Sequence, residues 1–203
     1  MRPPGPLQQP RVSDLPTIPL LVLVTGLPGT GKTTMADVAA AELGAPVLGH
    51  DWAMSGLRPY PELQVALDAM GLRGHRGVGW SILWALARSQ LRRGQPVVLD
   101  GVARAPEVAG TRALAREEGA PCRVVMTECS DPALHRSRIE GRQRAIPGWY
   151  ELDWEHVARA RSEWAALDNV DLALEAAESV AENAASLRGV VSEWRRTGGN
   201  QQA

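Results

Sequence analysis

Hydrophobic positions along the chain fall into two rhythms. Short, mainly apolar segments occupy 20–25, 46–48, 97–99, 123–127 and 170–174, each the length of one strand, with 20–25 the longest continuous run. A run with no polar alternation fits a strand buried on both faces. Between these runs, apolar residues return at helical spacing over 32–43, 61–70, 80–91, 106–118, 154–167 and 179–195. Trp80, Leu83, Trp84, Ala87 and Leu91 mark one such face, which Arg92, Arg93 and Gly94 close. Gly44 ends the first helix, Asp131 with Pro132 opens another, and Ser179 with Glu182 makes a capping box for the last. Strands alternating with helices predict a parallel sheet covered on both faces.

The flanks lack this rhythm. Residues 1–18 hold five prolines and few apolar residues, and read as a disordered arm; 197–203 read as a disordered tail. The domain between them spans 19–196. At 203 residues the chain suits one such domain, and its net charge of −1 leaves no global basic field for a nucleic-acid duplex. Contact with a short nucleic-acid end stays open. The apolar run at 20–24 is far too short to cross a bilayer. Cys122 and Cys129 read as reduced thiols, so the expectation is a soluble cytoplasmic protein without membrane contact. His50, His75, His135 and His156 show no metal spacing, and His50 is of interest only for its place beside Asp51.

Composition sharpens one position. The chain has 21 arginines and a single lysine, Lys32, so a compact ammonium is retained where every other cation is a guanidinium. That lysine lies in Gly26-Leu27-Pro28-Gly29-Thr30-Gly31-Lys32-Thr33, which fits G-x-x-x-x-G-K-[ST] at each fixed position. The segment follows a buried strand and opens a helix, the setting in which such a loop cradles phosphate through backbone N–H groups and the helix dipole. Gly26 to Thr33, with Thr34 following, are therefore the expected ATP-binding residues. Lys32 would reach the β- and γ-phosphates, and the Thr33 hydroxyl would ligate Mg2+. Asp100, delivered by the 97–99 strand to the sheet's carboxyl edge, is the second metal candidate.

At this point a resemblance becomes visible. Asp100-Gly101-Val102-Ala103-Arg104 resembles the Asp-Gly-x-x-Arg stretch of nucleoside monophosphate kinases, which implies that Arg104 grips an acceptor. Arg138-Ile139-Glu140-Gly141-Arg142 resembles the Arg-x-x-x-Arg that begins their lid. By that resemblance Arg138 packs on adenine and Arg142 contacts phosphate. The order of elements, with Asp51 after the second strand, is similar to small P-loop kinases of the zeta toxin, chloramphenicol phosphotransferase and polynucleotide kinase group. The expected fold is a three-layer α/β P-loop NTPase domain with about five parallel strands and a short arginine-bearing lid near 142–149. Arg136 and Arg144, in the same nine-residue cluster, fit a solvated helix face.

The acceptor side is the less legible. Asp51 could orient an incoming hydroxyl and take its proton, or cap a turn or helix; the residues alone favour neither. Trp52 could offer a stacking surface, whereas Trp80 and Trp84 read as core in a chain without phenylalanine. Polynucleotide kinases similar to this group carry an arginine three positions after the aspartate. Met54 stands there, with Arg58 the next candidate, so a nucleic-acid acceptor is disfavoured. The expectation is an ATP- and Mg2+-dependent kinase acting on a hydroxyl of a small-molecule acceptor. Lys32, Asp51, Arg138 and Arg142 would be catalytic, and Asp51, Trp52 and Arg104 would bind substrate. A polynucleotide 5′-hydroxyl kinase and a nucleotide-dependent ATPase switch acting on a protein partner are the alternatives.

Overall fold

The computed structural model describes residues 19–162 and 164–198. Its sheet has five strands: β1 (Leu21–Gly26), β2 (Val47–Gly49), β3 (Val97–Asp100), β4 (Cys122–Glu128) and β5 (Leu172–Glu175). They pair in the order β2-β3-β1-β4-β5, all parallel. Each crossover carries helix. The helices are α1 (Lys32–Leu43), α2 (His50–Ser55), α3 (Pro61–Ala69), α4 (His75–Leu91), α5 (Ala105–Glu117), α6 (Pro132–Glu140), α7 (Trp154–Ser162) and α8 (Val180–Gly198). This is the expected α/β fold with its five-stranded parallel sheet.

The unbroken apolar run of β1 has a simple consequence. Val22 and Val24 point into a core shared with Met35, Ala36, Ala39 and Leu43 of α1 and Leu187 and Val191 of α8. Leu21 and Leu23 point the other way, against Trp80, Leu83, Ala87 and Leu91 of α4 and Leu114 and Ala115 of α5. Period-two geometry sends alternate residues of a central strand into opposite layers, so both sets must be apolar. Trp80 is 1% exposed and Trp84 packs against the same core, its indole N–H donating to Thr111 Oγ1 at 3.0 Å. Both tryptophans therefore serve as core.

Several boundaries differ from the sequence expectation. β2 stops at Gly49, and His50 and Asp51 begin α2 rather than closing the strand. α7 covers Trp154–Ser162, short of 167, and Leu167 packs against the α4/α5 core. α8 runs through Gly198, with the Thr197 hydroxyl donating to the Glu193 carbonyl, so the helix takes in the first two residues of the expected tail. The proline-rich arm at 1–18, and 199–203, lie outside the described residues. The capping expectations hold: Asp131 Oδ1 accepts from Ala133 N at 2.8 Å and Leu134 N at 3.2 Å, and Ser179 and Glu182 cap each other.

Candidate active site

The carboxyl ends of β1, β2 and β3 open into one cleft of about 340 Å3. Parallel strands put their following loops on the same edge, so residues distant in sequence converge there. At one end lies the phosphate loop. Gly29 and Gly31 take φ of +86° and +90°, a left-handed backbone that lets the loop curl between β1 and α1. Lys32 opens α1, and its Nζ donates to the Leu27 carbonyl at 2.9 Å. Burial lowers its pKa, against the pull of Asp100 and Asp51. Thr30 braces the loop by bonding to the Leu27 carbonyl and Thr127 Oγ1, each at 2.7 Å.

Thr33 Oγ1 donates to Asp100 Oδ2 at 2.8 Å. Asp100 is 9% exposed, and its Oδ1 has no hydrogen-bond partner. Burial pushes the Asp100 carboxyl above its ordinary range, only partly offset by Lys32 and Thr33. A buried, half-satisfied carboxylate beside a threonine hydroxyl is a hard-oxygen donor set that a divalent cation would complete. Among the described residues, no cluster of three or more His, Cys, Asp or Glu could hold a metal by itself. The pair therefore fits magnesium carried in with nucleotide phosphates rather than a resident ion.

Asp51 faces the same cleft from the first turn of α2. Its Oδ2 accepts from Arg144 Nη1 at 2.5 Å, and its Oδ1 lies 3.6 Å from His50 Nδ1. Burial alone would raise the Asp51 carboxyl, but His50, Arg144 and Lys32 together hold it below its usual value. His50 is set by packing on Trp80, with ring centroids 5.8 Å apart, and by the Arg76 carbonyl at 3.3 Å. A Cβ at Gly79 would sit 2.3 Å from His50 Nε2, so α4 needs glycine where the imidazole crosses it. Trp52 and Arg104 line the cleft as expected.

The arginine cluster is distributed differently from the expectation. Arg142 does line the cleft, with Lys32 and Asp100. Arg138 lies elsewhere, donating from Nη2 to the Ala176 carbonyl at 2.6 Å, beyond β5. Arg136 is the surface residue foreseen, paired with Glu140 one helical turn on. Arg144 is not. Its side chain is 8% exposed, bonded to Asp51, Glu151 and the Tyr150 carbonyl. Ala145 beside it takes φ of +52°, uncommon for a residue with a Cβ, while Glu151 Oε1 accepts the backbone N–H groups of Arg144 and Ala145. The sequence offered one clue, the density of arginines, but a helix-face reading concealed the role. His50, Arg76, Trp149, Tyr150 and His156 also line the cleft and carried no motif.

A glycine-rich loop joining β1 to α1, a 2-3-1-4-5 parallel sheet and converging metal-type and arginine ligands define a P-loop fold of kinase type. The chain belongs to the AAA domain family, whose model matches residues 21–167. Solved structures share the fold. One is a gluconokinase from Sinorhizobium meliloti 1021, at 16% identity and a TM-score of 0.64, covering 92% of this chain and 99% of that one. A second is the Mycobacterium tuberculosis APS kinase CysC in complex with AMPPNP and APS, at 22% identity and 0.60, covering 86% and 98%. Shikimate kinase from Bacteroides thetaiotaomicron matches at 15% and 0.55, covering 85% and 98%. A UPF0200 protein of Aeropyrum pernix is 37% identical over 89 residues, 41% of this chain and 46% of that protein. The chain thus spans about half the length of that curated relative. Among the described residues no helix is long and apolar enough to cross a membrane.

Proposed function

We propose that this chain is an ATP- and magnesium-dependent kinase that transfers the γ-phosphoryl group to a hydroxyl of a small-molecule acceptor. The carrying observation is that one cleft holds the phosphate loop with its Thr33–Asp100 pair and, alongside, the Asp51 carboxylate that an acceptor hydroxyl would meet. A switch that only hydrolyses nucleotide has no need of a second walled subsite beside its phosphates. The same layout favours the group resembling zeta toxins, chloramphenicol phosphotransferase and polynucleotide kinases. Met54 is 1% exposed, locked in the core where polynucleotide kinases place a phosphate-binding arginine, which argues against a nucleic-acid acceptor. A cytoplasmic setting suits an ATP-dependent enzyme whose two cysteines are free thiols.

In this reading Lys32 exchanges the Leu27 carbonyl for the β- and γ-phosphates, while Thr33 and Asp100 hold magnesium. The cation supplies charge neutralisation on the phosphate oxygens. The acceptor oxygen forms a bond to the γ-phosphorus as the bond to the β–γ bridging oxygen breaks, and ADP leaves with that electron pair. The hydroxyl proton passes to the Asp51 carboxylate. A carboxylate held at low pKa is a weak base, but a loose transition state demands little proton removal, so Asp51 chiefly aligns the nucleophile. Arg142, lining the cleft with Lys32, would stabilise the negative charge that spreads over the transferring oxygens. For Arg138, bound at Ala176 outside that cleft, packing on adenine is supported by the resemblance to the nucleoside monophosphate kinase lid motif. The arginine-bearing lid is 142–149, within the segment 141–153 that joins α6 to α7.

The test is ADP release measured against a panel of hydroxyl compounds with ATP and Mg2+. Release that depends on an acceptor and is lost in Lys32→Ala supports the reading. Release at one rate whatever acceptor is present would leave an ATPase.

A further inference from the structure

Beyond the phosphate loop, the cleft changes character. Trp52 follows Asp51 on α2 and is 57% exposed, although Trp80 and Trp84 show that this chain buries indoles where it needs them for packing. The open indole leaves a flat apolar face beside Asp51 that a ligand ring could cover. Trp149 and Tyr150 stand in the 141–153 segment and also line the cleft. Their rings lie 4.9 Å apart, tilted by 32°, and Arg58 braces them, its guanidinium 6.0 Å from the Trp149 ring centroid and its Nε donating to the Gly148 carbonyl at 3.2 Å. These contacts hold the two rings side by side along the cleft.

Two of the guanidinium groups at this end are already paired. Arg76 pairs with Glu107, and Arg144 is consumed by Asp51 and Glu151. A polyol entering here would turn most of its hydroxyls toward ring faces and lose their bonds to water. An acceptor carrying its own phosphate or carboxylate would add negative charge beside Asp51 and a bound nucleotide, with these two guanidinium groups already committed. A planar apolar body loses nothing in such a site and gains stacking area.

We propose that the acceptor is an uncharged, ring-bearing alcohol, with its ring against Trp52 and the Trp149–Tyr150 wall and its hydroxyl at Asp51. The proposal rests on the kinase reading. It makes Trp52 a specificity-determining residue that touches the acceptor and not ATP. The transfer is the one written above, from the γ-phosphorus of ATP to the alcohol oxygen, with ADP and a proton released.

The experiment uses the full chain with ATP and Mg2+ and three sets of compounds: ribonucleosides with simple aryl alcohols, the corresponding nucleoside 5′-monophosphates, and polyols such as gluconate and glucose. ADP release should follow the first set. Trp52→Ala should raise KM for the best of them by about ten- to a hundredfold, the usual loss when a stacking ring is removed, while KM for ATP moves less than about threefold. Trp52→Phe should recover most of that loss. Preference for the monophosphates or polyols, or an unchanged acceptor KM in Trp52→Ala, overturns the proposal and leaves the kinase reading standing. If no compound drives ADP release, the kinase reading falls. Equilibrium dialysis of the nucleosides with a non-hydrolysable ATP analogue then decides the subsite: saturable binding lost in Trp52→Ala supports it, and absence of binding removes it.

Discussion

Replacing Arg144 with glutamine removes a guanidinium that serves three acceptors at once, the Asp51 carboxylate, the Glu151 carboxylate and the Tyr150 carbonyl. Breaking a fully buried ion pair on one side costs about 3–5 kcal/mol, whereas an exposed pair is worth about 0–1 kcal/mol. Arg144 is 8% exposed but Asp51 is 40% exposed, so solvent screens the carboxylate's share and a loss of about 1–2 kcal/mol is expected. The melting midpoint should fall by about 3–6 °C. If the same contact aligns Asp51 for the acceptor, kcat/KM should fall about 5- to 30-fold with ATP affinity largely kept. Acidity supplies a second readout. Asp51 has a depressed folded pKa, so its contribution to stability is present above its unfolded value and lost as pH falls through the folded one. Without Arg144 that folded value moves up toward the unfolded one, so the acid loss of stability from Asp51 becomes smaller and is complete at a higher pH. The assay is a double-mutant cycle of Arg144→Gln with Asp51→Asn, read by chemical denaturation and by acceptor-dependent ADP release. Effects of the two changes that simply add, within about 0.5 kcal/mol, would refute the coupling.

Lys32 should be the lysine labelled by an ATP-derived acyl phosphate, with protection by excess ATP, and Lys32→Arg should lose at least about a hundredfold in kcat because a planar fork does not fit a site built for a point charge; full activity in that variant would refute it. Arg142→Ala should slow transfer far more than it weakens ATP binding, since its contact belongs to the charge-dispersed state; a pure loss of ATP affinity, measured by titration calorimetry, would make it a ground-state ligand. Asp100→Asn should abolish magnesium-dependent turnover yet stabilise the nucleotide-free protein by about 1 kcal/mol, roughly 2–4 °C at neutral pH. The sign follows from burial: a raised carboxyl pKa means stability is fullest below the unfolded value and declines as pH rises through the folded one, and asparagine should remove that slope in a pH-dependent melting series.

Legibility in the sequence tracked how local each determinant is. The phosphate loop and β1 were readable because glycine conformation, an unbroken apolar run and a helix start all lie within fourteen consecutive positions, 20–33. Asp100 was readable because the strand that delivers it is itself a short apolar run. Asp51 was placed at the sheet edge after the second strand, but its position inside a helix was not legible, since β2 is only three residues long and extended Gly49 turns the chain straight into α2. Arg144 was misjudged because its partner Asp51 is 93 positions away, and charge alone does not distinguish a solvated guanidinium from one buried against a carboxylate. Of the aromatic wall only Trp52 was legible, from its place after Asp51; Trp149 and Tyr150 come to line the same cleft only once the sheet has ordered the loops.

That long-range closure begins at the phosphate loop itself. His135 of α6 donates from Nε2 to the Pro28 carbonyl at 2.7 Å, and burial lowers its imidazole pKa, which keeps it a neutral donor. Ile139 lies so close that a Cβ at Gly29 would meet its Cδ1 at 2.7 Å, and the Trp154 ring stands edge-on to His135 at 5.4 Å. The loop that would hold phosphate thus carries the helix that leads into 141–153, and the first residue of α7 rests on the same histidine. Nucleotide entering the loop must either keep this contact or move α6 with it. Because Arg144, at the α6 end of that segment, joins it to Asp51, a displacement at Pro28 has a packed route to the acceptor carboxylate, through α6 rather than across solvent.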